Sequence, residues 1–139
     1  MDIALLRSTF ELVKPQADDV ARAFYARLLG TFPQVRPLFA HTDFTAQRRN
    51  LLQSLATIVA VVDRPDELGP YLERLGVSHN GYRVQPHMYR YVSFALLATL
   101  ADTFGDDWTP EAAATWEAAL DAVSAAMIDA QDRVSGSAA

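Results

Sequence analysis

The sequence predicts an all-α fold, with six to eight helices crossed around a central pocket. Three observations carry that prediction. Apolar residues recur at steps of three and four in every long segment, which is the spacing of one helical face. No stretch sustains the period-two alternation of a half-buried strand. Prolines and glycines fall between the periodic segments, and the pieces they cut are too many and too unequal for a plain four-helix bundle.

The elements follow in order. Residues 2–14 carry Leu5, Leu6, Thr9, Phe10 and Val13 on one face, and Pro15 suits the first turn of a second helix over 15–30. That helix groups Ala21, Phe24, Tyr25, Leu28 and Leu29 and stops at Gly30. Pro33 to Phe39 has room for one or two turns. Asp43, in the polar link His41-Thr42-Asp43, is a capable N-cap for the strongest helix, over 44–62, striped by Leu51, Leu55, Ile58 and Val62. The segment 65–80 opens with Pro65-Asp66-Glu67, acidic residues that suit a helix N-terminus. Gly69-Pro70 makes its first half irregular, so only the second half is expected to be regular helix. Pro86 to Phe104 and Pro110 to about Arg133 complete the set, and the last residues, 134–139, are expected to form a disordered tail.

Composition removes several functions. The net charge is −5, with acidic and basic residues interleaved and no basic stripe, which argues against nucleic acid as a partner. Absence of cysteine excludes disulfides, thiolate catalysis and cysteine-held iron–sulfur clusters. The N-terminus lacks the basic start and apolar run of a signal peptide. No apolar stretch approaches the ~18 residues of a membrane span. The expected location is the cytoplasm.

His79 is the residue with the most chemistry. It continues the apolar row Leu68, Leu72, Leu75 by one more step of four and is followed by Asn80-Gly81, where a helix would stop. An imidazole at the end of an apolar stripe is placed to reach a buried metal. A lone histidine on an apolar face is more often a core residue satisfied by backbone and water, so His79 needs company to mean more. Phe39, the pair Gln47 and Leu51 on one helical face, and Tyr25 on the second helix supply it.

In order and spacing these stretches resemble the globin family, specifically bacterial single-domain globins and the haem domains of flavohaemoglobins. They are Phe24-Tyr25-Ala26-Arg27-Leu28-Leu29, Pro33-Gln34-Val35-Arg36-Pro37-Leu38-Phe39, Gln47-Arg48-Arg49-Asn50-Leu51-Leu52, Leu75-Gly76-Val77-Ser78-His79, Pro86-His87-Met88-Tyr89 and Ala114-Thr115-Trp116. The resemblance spans roughly residues 5–131. It implies a globin fold over residues 1–133 and haem b, iron protoporphyrin IX, as cofactor. His79 would be the proximal iron ligand through Nε2, with its Nδ1–H given to the Leu75 carbonyl or the Ser78 hydroxyl. Phe39, Leu51, Leu75 and Val84 would line the porphyrin. Tyr25 and Gln47 would stand on the distal side, where an O–H and an N–H each strengthen the hold on dioxygen by about 1 kcal/mol. Carbon monoxide gains less from such donors. Tyr89 matches a tyrosine that flavohaemoglobins tie to the proximal histidine and a glutamate. Counting fifteen residues on from Trp116 puts Gln131 where that glutamate falls.

Two functions share these residues. One is reversible oxygen binding, for storage or delivery. The other is nitric oxide dioxygenation, with nitrate as product. The chain ends at Ala139 without a flavin or nicotinamide domain, so turnover is expected to draw on an external reductase. A gas sensor is disfavoured because no output domain is fused. The expected partners are O2, NO and CO, and the assembly is a monomer or homodimer.

Overall fold

The computed structural model describes residues 1–138, and Ala139 lies outside them. Six α-helices succeed one another: α1 Ile3–Val13, α2 Ala17–Thr31, α3 Phe44–Val61, α4 Pro65–Gly81, α5 Met88–Phe104 and α6 Pro110–Ala138. Short 3-10 segments, Lys14–Gln16, Pro33–Phe39 and Gly105–Asp107, turn the corners. Among the described residues there is no strand.

Side chains placed at the helix starts account for where those helices begin. Asp2 accepts from the Leu5 amide at 3.0 Å, and Asp43 accepts from Thr45 and Ala46. Thr109 accepts from the Ala112 amide at 3.1 Å and opens α6. The far end of α3 is held from another element. Arg7 donates to the Val59 and Ala60 carbonyls and pairs with Asp63, satisfying acceptors that a helix terminus leaves free.

Two apolar clusters form the core. The larger gathers Leu6, Phe10, Phe24, Tyr25, Leu28, Leu96, Leu100 and Trp116, uniting α1, α2, α5 and α6. The smaller joins Ile58, Leu72, Tyr89 and Met127, with Leu75 and Val84 packed against it. Helix α4 lies chiefly along α6 and meets α3 only lightly. The α4–α6 approach depends on Gly76: a Cβ there would stand 2.5 Å from the Met127 carbonyl oxygen and 2.9 Å from the Ala130 Cβ. No described helix is long and apolar enough to cross a membrane.

Three boundaries differ from the sequence pattern. Helix α4 is continuous through Gly69-Pro70, because both residues are exposed and the carbonyl deprived of its N–H partner is open to water. Helix α5 starts at Met88, two residues after the proline that seemed to open it. Helix α6 continues past Arg133 to Ala138, and Ser135 there donates to the Asn80 side chain at 3.2 Å.

Candidate functional site

The candidate residues form two groups, one at the last turn of α4 and one on α2 and α3. His79 is half-buried, and its Nδ1 lies 2.7 Å from the Leu75 carbonyl oxygen one turn back. A carbonyl can only accept, so in the neutral ring Nδ1 carries the proton and Nε2 keeps its lone pair. Burial pushes the imidazole below its ordinary pKa, which favours that neutral form. Nε2 has no hydrogen-bond partner among the described residues. Ser78 is exposed and takes no part, so of the two expected acceptors the structure uses the Leu75 carbonyl.

Behind His79 the chain turns back through Arg83, whose φ of 64° is the left-handed region. The Val84 amide donates to the His79 carbonyl at 3.1 Å and closes the turn. The Tyr89 ring then stacks beside the imidazole, centroids 6.0 Å apart and planes 29° from parallel. Burial raises the Tyr89 phenol to about 12, so it stays a proton donor, and its hydroxyl donates to Gln131 Oε1. The other end of the same amide, Nε2, donates to the Val84 carbonyl at 2.8 Å. Gln131 is 3% exposed and links α6, α5 and the turn after α4.

On α2 and α3, Tyr25 and Gln47 are joined: Gln47 Nε2 donates to the Tyr25 hydroxyl oxygen at 3.1 Å. With its oxygen accepting, the phenol has its own O–H left to give. Burial raises the Tyr25 pKa, keeping that proton in place. Aromatic rings enclose it edge-on, Phe24 at 4.9 Å, Phe44 at 5.5 Å and Phe39 at 5.9 Å. Leu51 stands one turn beyond Gln47, half-buried like Phe39, Leu75 and Val84. Of the residues expected from the sequence, the structure gathers Tyr25, Gln47, Phe39 and Leu51 in one cluster and His79, Leu75, Val84 and Tyr89 in the other. The sequence reading passed over Phe44, whose signal was an aromatic directly after the Asp43 cap. His41 and His87 are exposed, as surface histidines are.

A model of the globin family matches residues 22–127. The chain belongs to the globin family. Its relatives include flavohemoproteins of Pseudomonas aeruginosa, 30% identical over 94% of this chain, and of Bordetella parapertussis, 31% identical over 84%. A flavohemoprotein of Deinococcus radiodurans is 28% identical over 90%. The chain covers 34%, 29% and 32% of those proteins, about a third of each.

Haem b is the cofactor of this globin. The residues fit it on two counts. One neutral imidazole nitrogen is free while its partner is fixed by a carbonyl, the arrangement a metal-binding histidine needs. The half-buried side chains Leu75 and Val84 beside it, and Phe39 and Leu51 in the neighbouring α2–α3 cluster, are apolar, as the faces of a porphyrin require.

Proposed function

We propose that this globin binds dioxygen reversibly, with His79 as the proximal ligand through Nε2 and Tyr25 and Gln47 as the donors facing the gas. Haem b supplies a ferrous iron with affinity for diatomic gases. The chain supplies the rest. The Leu75 carbonyl holds the imidazole in one tautomer and one orientation. Phe24, Phe39 and Phe44 pack edge-on around the Tyr25 ring and leave that residue buried. Gln47 occupies the phenol oxygen, and the phenol hydrogen is therefore directed away from Gln47. The observation that carries the reading is this Gln47–Tyr25 bond, a donor prepared in an apolar cage. Tyr25→Phe and Gln47→Ala should each speed oxygen release about fivefold or more in stopped-flow measurements, since each removes about 1 kcal/mol or more of hydrogen bonding. Release at the parent rate in both variants would refute the distal assignment. His79→Gly should lose haem on dilution and regain a Soret spectrum when free imidazole is added. Full haem retention without imidazole would refute the proximal one.

A second reading, nitric oxide dioxygenation with electrons from a separate reductase, has support in the kinship with flavohemoproteins. Mixing the oxygenated protein with nitric oxide separates the two. Sustained nitrate formation with a reductase present marks the enzyme, and a single stoichiometric burst marks the carrier.

A further inference from the structure

Helix α4 ends in a tight reversal. The Val84 amide donates to the His79 carbonyl at 3.1 Å, and inside that bond the Arg83 amide donates to the Asn80 carbonyl at 3.0 Å. This nested pair is the helix stop in which the residue after the cap turns left-handed and is most often glycine. Here that residue is Arg83, with φ of 64°, the one non-glycine residue of positive φ among the described residues. A Cβ is strained in that conformation, whereas glycine would close the same turn freely. Closing the turn therefore does not account for an arginine.

Position and charge do. Arg83 is exposed, while Val84 after it and His79 four residues before it are half-buried. It is thus a cation at the solvent boundary of the proximal group. No aspartate or glutamate occurs between Glu73 and Asp102. Helix α6 does bring carboxylates to this side, since Asp129 and Asp132 flank the Gln131 that donates to the Val84 carbonyl. Asp129 pairs with Arg133, and neither carboxylate forms an ion pair with Arg83 among the described residues.

Haem b carries two propionate carboxylates on one edge of its ring. Burying them unpaired is costly, so that edge belongs at a solvent boundary and favours a cation there. We propose that Arg83 pairs with a haem propionate, a guanidinium fixed to the turn that follows the iron-binding histidine. The proposal rests on the reading of His79 as the proximal ligand. A planar guanidinium fork matches a carboxylate, and a pair at the surface slows haem loss modestly and weakens in salt.

The test follows haem loss from the loaded protein, at low salt, to an excess of a haem-scavenging apoprotein. It is run with ordinary haem and with haem whose propionates are methyl esters. Arg83→Gln keeps the length and the strained backbone but removes the charge, and Arg83→Lys keeps the charge. With ordinary haem, Arg83→Gln should lose it about threefold to fivefold faster than the parent, and Arg83→Lys within about twofold. Arg83→Gly, despite its relaxed turn, should lose haem as fast as Arg83→Gln. With the ester, parent and variants should all release porphyrin at one rate. Equal loss of ordinary haem from parent and Arg83→Gln would overturn the pairing. So would a difference that survives esterification, which is what a cation serving only the C-terminal dipole of α4 would give. His79→Gly separates this proposal from the one beneath it. If that variant sheds haem while Arg83→Gln holds it at the parent rate, only the role of Arg83 falls. If His79→Gly keeps haem fully without imidazole, the proximal reading falls and the pairing with it.

Discussion

At position 131 the structure uses both ends of an amide. Oε1 accepts from Tyr89 and Nε2 donates to the Val84 carbonyl, so one buried side chain orients the phenol beside His79 and fixes the turn that follows it. A carboxylate could do only the first. In Gln131→Glu the Val84 carbonyl loses its donor and faces a second acceptor, a loss of about 1–3 kcal/mol. The same change sets a negative charge one phenol away from the imidazole, and charge there should lower the iron reduction potential. The expected result is a lower thermal midpoint together with a more negative potential in a redox titration. A fall in stability with the potential unmoved would mean that Gln131 acts through packing alone. As it stands the amide is neutral, so the phenol beside His79 carries no neighbouring charge at this position.

Helices carry the site, and one glycine sets where α4 lies. Gly76, three residues before His79, lets α4 reach the backbone of α6, where any Cβ would meet the Met127 oxygen at 2.5 Å. Gly76→Ala should force the helices apart and cost about 1–3 kcal/mol, with faster haem loss because His79 moves with its helix. Gly30, in α2, has nothing within 4 Å of its Cβ position, and Gly30→Ala should instead stabilise by about 0.5–1 kcal/mol. Thermal unfolding of the two variants gives opposite shifts if close approach, and not helix propensity, governs Gly76. The contrast also shows what a sequence can reveal. Stripes such as Leu51, Leu55 and Ile58 declare a helix because periodicity is local, and the Asp43 cap declares where it begins. Gly69-Pro70 misled because a proline rule written for helix interiors gives no weight to an exposed carbonyl that water can satisfy. Gly76 read like any other helical glycine, since its meaning lies in a helix some fifty residues on. Gln131 could be located by counting, but its bond to the Val84 carbonyl depends on a turn that no periodicity predicts.

Across the whole molecule, the paired charges and the buried imidazole set two acid limits. Asp18, held by Arg22 and Arg48, and Asp63, held by Arg7, both have carboxyl pKa values below the ordinary 3.8. Each therefore adds stability that is present above 3.8 and is lost as pH falls through the lowered folded value. These pairs are exposed, and salt weakens them. His79 acts earlier. Its folded pKa lies below 6.5 because burial opposes the imidazolium, so below pH 6.5 the unfolded chain takes up a proton that the folded haem-free chain refuses. Stability of the apoprotein should fall as pH drops from 6.5 toward the lowered folded value, well before the carboxylates respond. His79→Gln removes that titration and leaves the helix in place. The difference in thermal midpoint between parent and variant apoprotein should therefore change between pH 7 and 5, with the parent losing more. A difference that stays constant across that range would show that the imidazole is not shielded in the folded chain. The feature that makes His79 costly to bury in acid is also what keeps Nε2 free of a proton, and available to iron, at neutral pH.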